Sequence, residues 1–294
     1  MLKYRLISFP LLIALGALIF CWKEGGFWIY TVIAPLALGL AVYEVAAMAE
    51  NINIKSFPKI TGVIAALLAL GSLNHALLFE RLSLTAAIDL AVCGLAGLLI
   101  IPALALAFRK EGVLERLIGT AGILLGFGLP LLMAVNCWQL TLPFEPLNLF
   151  KGTSQVSGML FLIAVSKSMD TGGYIFGMLS GKFLPGGNHK IAPTVSPKKS
   201  WEGFFGGLLL TVLVACCFHW WGGLKLGWCI ATGVVLALGS FFGDLTESAL
   251  KRRCGIKDSG NYIPGMGGAL DVLDSFIYNG VLLIIMTVVF YGKF

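Results

Sequence analysis

The sequence predicts an all-α, polytopic integral membrane protein of about nine transmembrane helices, and three observations carry that prediction. Of 294 residues, 58% are hydrophobic and only 12% charged, where a soluble domain carries roughly a quarter charged. The mean hydropathy is +0.90, so there is too little polar surface to face water all round. Apolar runs repeatedly exceed the roughly 18–20 residues that cross a bilayer core. Between them lie short breaks rich in charge, Gly and Pro: KEGG at 23–26, ENINIKSFPK at 50–59, FRKEG at 108–112, and the stretches at 138–156 and 184–200.

In chain order the spans are expected at about 6–22, 27–48, 60–79, 83–108, 114–136, 157–180, 203–221, 226–249 and 276–292. The first follows Lys3 and Arg5, as a signal peptide would. Its apolar run is long, however, and no A-x-A site closes it, so it reads as an anchor. The run at 83–108 is long enough to tilt or to include an interfacial piece. Five spans fall in an N-terminal region, 1–156, and four in a C-terminal region, 157–294.

Nine spans put the termini on opposite sides of the bilayer. With the N-terminus and every second connection on one side, fifteen of the 21 Lys and Arg fall there. By the positive-inside rule that side is cytoplasmic, and it carries the charged connections 182–202 and 250–275. The net charge of +6 matters less than this distribution. Seven cysteines without C-x-x-C spacing read as small hydrophobes. His75, His189 and His219 form no cluster and read as structural or surface residues.

The charges that do occur are concentrated. In GDLTESALKRR, Asp244, Glu247, Ser248 and Lys251 recur at i, i+3, i+4 and i+7, which places them on one helical face. Asp271 and Asp274 repeat the i, i+3 spacing before the last span, and Lys167 and Asp170 lie inside the sixth. Carboxylates at membrane depth are costly unless paired, metal-bound or wetted. Structural ion pairs such as Asp244 with Lys251 are one explanation; oxygen ligation of a hard divalent cation is the other. KRRCGIKDSG adds four cations within seven residues, and SGNYIPGMGG follows with glycines whose backbone N–H groups can approach an anion. The run KRR alone also fits an anchor on anionic headgroups, and VSPKKSWEGFFGG at 195–207 also fits a solvated basic loop. Together these are the parts that phosphoryl or nucleotidyl transfer needs. The soluble nucleotide motifs are missing: GMLSGKF at 177–183 fails as a P-loop, and GMGGAL does not complete G-x-G-x-x-G.

With these blocks in view, the sequence resembles the phosphatidate cytidylyltransferases, or CDP-diglyceride synthetases. Their C-terminal signature runs from S-x-x-K-R through K-D-x-G and P-x-H-G-G to D-R-x-D. Ser248, Lys251, Arg252, Lys257, Asp258, Gly260, Pro264, Gly267, Gly268, Asp271 and Asp274 match it in spacing. GDLTES resembles the family's G-D-x-x-E-S, SPKKSWEG its S-P-K-K-T-W-E-G, and DTGGYIFG its D-T-x-A-Y-x-x-G. The matching blocks span roughly 170–275. Met266 stands where the signature has His, and Val272 where it has Arg.

The resemblance implies a reaction in which CTP and phosphatidic acid give CDP-diacylglycerol and pyrophosphate. It implies Mg²⁺ as cofactor, leaving open one cation or two and whether one of the two is monovalent. Asp244 and Asp271 are implied as metal ligands, with Glu247 and Asp274 as further ligands or support. Asp170 is implied as a polar contributor near metal or CTP. Lys198, Lys199, Lys251, Arg252 and Lys257 would clamp phosphates, with Ser196 and Ser200 as hydrogen-bonding partners and Asp258, Gly267 and Gly268 in the same loop. The lipid tails would stay in the bilayer of a bacterial inner membrane, with the N-terminus and the site on the cytoplasmic side. A homodimer is implied, and the small-residue face GFFGG at 203–207 agrees with it; no nucleic acid is expected as a partner. A CTP-dependent polyprenol or phytol kinase and an ion-coupled transporter are the rival readings.

Overall fold

The computed structural model describes residues 11, 14–22, 25–78, 112–138, 140, 142, 158–183, 188–264 and 267–291. They are predominantly helical, as an all-α membrane protein should be, because a chain without water partners must satisfy its backbone internally. The helices are α1 (Gly26–Glu50), α2 (Pro58–Leu78), α3 (Val113–Ile123), α4 (Leu129–Asn136), α5 (Gly158–Phe183), α6 (Trp201–Gly222), α7 (Leu226–Arg253), α8 (Ala269–Leu273) and α9 (Phe276–Tyr291). Strands β1 (Lys190–Ala192) and β2 (Ser196–Ser200) form an antiparallel hairpin, an addition that an apolar-run reading does not foresee.

Among the described residues, five helical segments are long and apolar enough to cross a membrane: Gly26–Glu50, Val113–Asn136, Trp201–Gly222, Leu226–Arg253 and Ala269–Tyr291. The expected spans at 60–79 and 157–180 coincide with α2 and α5. In the first expected span the described part is helical at 14–21. The expected span at 83–108 lies outside the described residues.

The chain packs as two compact units that interleave in sequence. One comprises Met1–Asn136 and Arg253–Leu273, the other Cys137–Arg252 and Asp274–Phe294. This division differs from a linear one at 156, because the segment before the last helix packs with α1.

In the first unit, α1 and α2 form a helical hairpin. Gly39 faces Ala66 and the carbonyl of Gly62, and Gly62 faces Tyr43, so side chains at either glycine would hold the helices apart. Asn53 turns the chain in the left-handed region at φ 63, which Asn tolerates better than most residues. Pro58 then opens α2, where a missing N–H costs nothing. Tyr30 donates its hydroxyl to the Val135 carbonyl at 2.7 Å, tying α1 to α4. Between α3 and α4 lies one π-helical turn, Leu124–Gly128, in which Leu129 N–H bonds to the Leu124 carbonyl. Pro130 follows immediately and has no N–H to offer, so the ladder widens there.

In the second unit, Ser200 caps α6 by accepting the N–H of Gly203 at 3.2 Å, and Gly223 ends that helix at φ 68. Ser200→Ala is therefore expected to cost about 1 kcal/mol, read as a lower thermal midpoint in detergent. The glycine face offered above as a dimer contact is covered by the chain's own α5. Gly203 faces Gly173, Gly206 faces Phe176, and Gly207 faces Met169 and Gly173. Phe161 meets Phe218 edge-on and Trp228 at a tilt, with ring centroids 5.0 and 4.9 Å apart.

A buried polar knot joins three helices. Asn279 on α9 donates through Nδ2 to Ser166 Oγ on α5 (2.7 Å), and to Ser240 Oγ (2.8 Å) and the Leu236 carbonyl (3.1 Å) on α7. Ser240 donates in turn to the Ser166 carbonyl. The knot ties α5, α7 and α9 together just below Lys167 and Asp170 on α5, Asp244 and Glu247 on α7, and Asp274 on the turn before α9.

Candidate active site

One turn beyond Ser240, α7 presents Asp244 and Glu247 on the same face. Asp274, on the turn that opens α9, completes the group. One carboxylate oxygen from each of the three lies within 4.8 Å of the others. Each acid is met by a lysine. Lys199 Nζ lies 3.0 Å from Asp244 Oδ2, Lys251 Nζ 2.9 Å from Glu247 Oε1, and Lys167 Nζ 3.5 Å from Asp274 Oδ1. Lys167 also reaches Asp170 Oδ2 at 3.4 Å and donates to Ser275 Oγ at 2.9 Å. Lys199 is steered by a bond to the Phe241 carbonyl at 3.1 Å and by the Phe241 ring, 4.5 Å from Nζ to centroid.

Burial raises the stakes of these pairings. Glu247 is 2% exposed and Asp274 9%, so each would be strongly disfavoured as an anion without its lysine. Ser248 adds a hydrogen bond to Asp244 Oδ1 at 3.2 Å. Asp170, Asp244, Glu247 and Asp274 outnumber Lys167, Lys199 and Lys251, leaving a formal charge of −1 that favours one more cation. The donor set fits a hard metal ion. Oxygens bound to one Mg²⁺ stand about 3 Å apart when adjacent and about 4 Å apart when opposite, so three carboxylates within 4.8 Å of one another come within reach of a shared ion after about 1–2 Å of closure. Lys251 thus pairs with Glu247, while Asp244 takes Lys199, a partner from another element.

Asp271 belongs to the first unit. Its Oδ2 accepts Ser259 N–H (3.0 Å) and Gly268 N–H (2.8 Å), and Ser259 Oγ lies 2.9 Å from it. The N–H of Gly267 bonds to the Ile263 carbonyl. The backbone donors of Gly267 and Gly268, expected to face an external anion, are therefore engaged by the protein itself. Gly267 sits at φ 99 with Asp271 Oδ2 against it, and Gly268 is enclosed by Ser259 and Glu44, so neither position has room for a side chain.

The remaining expected residues are spread more widely. Ser200 is the α6 cap and is 3% exposed, so its oxygen is already committed. Ser196 is half-buried on β2 and Lys198 exposed beside it; Arg252, Lys257 and Asp258 are exposed at and beyond the end of α7. Met266 lies outside the described residues, and Val272 sits half-buried in α8.

Three participants were missed as site residues. Lys167 stands out in the sequence only as a charge inside an apolar run, and nothing local gives it a partner across elements. Ser259 is hidden between the motif residues Asp258 and Gly260. Glu44 is a single acid in the apolar run GLAVYEVAAM, and its signal was that isolation, since an unpaired carboxylate at such depth is costly.

The family model described as "Cytidylyltransferase family" matches residues 3–290, nearly the whole chain. The chain belongs to that family. A phosphatidate cytidylyltransferase of Staphylococcus epidermidis is 43% identical over 122 residues, and those of Staphylococcus aureus and Staphylococcus haemolyticus are 40% identical over the same length. Each match covers 41% of this chain and 45% of the relative, so the chain spans about half the length of the curated relatives it matches.

Proposed function

We propose that this chain transfers the cytidylyl group of CTP to phosphatidic acid, giving CDP-diacylglycerol and pyrophosphate with Mg²⁺ as cofactor. The observation that carries the reading is the carboxylate trio Asp244, Glu247 and Asp274, with a lysine on each acid. In the reaction, a phosphate oxygen of phosphatidic acid forms a bond to the α-phosphorus of CTP. The bond from that phosphorus to the oxygen bridging to the β-phosphate breaks, and pyrophosphate leaves with the electron pair. The nucleophile is already an anion at neutral pH, so no strong general base is required.

The difficulty is electrostatic, because two polyanions must meet and charge accumulates on the departing pyrophosphate. Asp244, Glu247 and Asp274 would hold a metal, and the family resemblance implies a metal-binding role for Asp271 as well. A metal held there neutralises phosphate charge. Lys167, Lys199 and Lys251 add fixed positive charge beside it, and one well-placed group of this kind contributes roughly 3–4 kcal/mol to the transition state. Lys198, Arg252 and Lys257, exposed toward solvent, would draw CTP in.

The finer topology belongs to the same proposal. Nine spans place the N-terminus and the site on the cytoplasmic side of a bacterial inner membrane, where CTP is available. The lipid tails remain in the bilayer, and the working form is a homodimer.

The test is purification in detergent, supply of labelled CTP, phosphatidic acid and Mg²⁺, and chromatography of the lipid products. CDP-diacylglycerol is the expected product. A folded, lipid-supplied sample that makes none would end the proposal. Phosphorylation of a lipid alcohol would replace it with the kinase reading, and isotope entry into liposomes without a lipid product with the transporter.

A further inference from the structure

Glu44 lies in the apolar body of α1 and is 2% exposed. A buried carboxylate is tolerated only when its oxygens are fully engaged, and Glu44 is met by three hydrogen-bond donors. Oε1 accepts Ala269 N–H at 2.9 Å; Oε2 accepts Leu270 N–H at 2.9 Å and Ser259 Oγ–H at 2.6 Å. These donors come from residues more than 200 positions away, and all of them flank Asp271. Gly260 and Gly268 press against the Glu44 carboxylate, with no space for a side chain at either. A whole loop is therefore shaped around one acid.

From this arrangement we infer that Glu44 is a positioning residue, which sets the orientation of the Asp271 carboxylate through Ser259 and the first turn of α8. Two routes connect them. Glu44 holds Ser259, whose N–H and hydroxyl oxygen both lie against Asp271 Oδ2. A hydroxyl has one proton, and the shorter contact assigns it to Glu44, so Ser259 is aimed by Glu44 while its N–H serves Asp271. Glu44 also binds the N–H groups of Ala269 and Leu270, which fixes the start of the helix on which Asp271 stands. With its Oδ2 held in this way, Asp271 has its carboxyl plane set before any ligand arrives. Outer-shell partners that orient a metal ligand in this manner change metal affinity by roughly 10–100-fold when they are removed.

The inference rests on the proposed role of Asp271 as a metal ligand, and the experiment separates the two. Glu44→Gln, Ser259→Ala and Asp271→Asn are purified as full chains in detergent, Mn²⁺ binding is titrated by electron paramagnetic resonance, and metal-free thermal unfolding is recorded. Gln at 44 would turn an NH₂ toward a backbone N–H, so one donor loses its acceptor. Folded Glu44→Gln is expected to bind Mn²⁺ about 10–100-fold more weakly than the parent chain. Ser259→Ala keeps both backbone bonds of Glu44 and is expected to lose roughly 3–10-fold; it carries the test if Glu44→Gln fails to fold. A purely structural tie would lower the unfolding midpoint and leave Mn²⁺ affinity of the folded fraction unchanged, which would overturn the inference. If Asp271→Asn weakens Mn²⁺ binding while Glu44→Gln and Ser259→Ala do not, the metal role of Asp271 stands and the role of Glu44 falls. If Asp271→Asn binds as the parent chain does, the metal role itself falls and takes the inference with it.

Discussion

If the proposed reaction is this chain's, Asp244→Asn is expected to leave the protein folded and to lower kcat by about 10²–10³. The fold is expected to survive because the Asp244 side chain is 31% exposed and its ion pair with Lys199 is a partly wetted one, worth about 0–1 kcal/mol. Asn keeps an oxygen for the Ser248 hydroxyl, and Lys199 retains the Phe241 carbonyl and ring. What Asn cannot keep is the negative charge. One of the three acids in the cluster would present an NH₂ toward Lys199, and the net charge there would rise from −1 to zero. Both changes disfavour a divalent cation. The measurement is the rate of CDP-diacylglycerol formation at saturating CTP over a wide range of Mg²⁺, beside thermal unfolding. A variant with the parent midpoint and activity within tenfold of the parent would remove Asp244 from the metal site.

What could be read in advance follows from the range of the interactions concerned. The helices were legible because each apolar run must cross a fixed thickness, so α1, α6 and α7 fall close to their expected ranges. The helical face of Asp244, Glu247, Ser248 and Lys251 was legible because i, i+3 and i+4 spacing is local, and two contacts follow from it: Ser248 to Asp244, and Lys251 to Glu247. Lys199 with Asp244 and Lys167 with Asp274 are tertiary pairings between elements 45 and 107 positions apart, and no spacing rule reaches them. The glycines of SGNYIPGMGG are expected from the sequence to bring a backbone close to an external anion. The anion in the structure is the chain's own Glu44 and Asp271. The motif pointed to close approach without naming the partner, because the partner sits in a helix near the other end of the chain. The same long-range tie draws Arg253–Leu273 into the unit of α1, which a linear division at 156 has no means to show.

Lys251→Met is expected to cost about 3–5 kcal/mol of stability. Its partner Glu247 is 2% exposed, and the Lys251 side chain itself is only 12% exposed. Met has a similar length and would fill the space, so the cost is electrostatic: a carboxylate stays in a dry place after its cation has gone. The companion change separates stability from function. Glu247→Gln removes the stranded charge, so Lys251→Met with Glu247→Gln should regain most of the lost stability, as buried pairs often do when both charges are replaced. Turnover should not return, because the double variant lacks both an acid of the carboxylate trio and one lysine that the proposed mechanism sets beside the phosphates. The cycle is read by thermal unfolding and by CDP-diacylglycerol formation for the parent, both single variants and the double. If the double variant is as active as the parent, the pair is a structural brace and nothing more. If Lys251→Met unfolds no earlier than the parent, the pair with Glu247 does not hold the site together, and Lys251 is then a phosphate ligand alone.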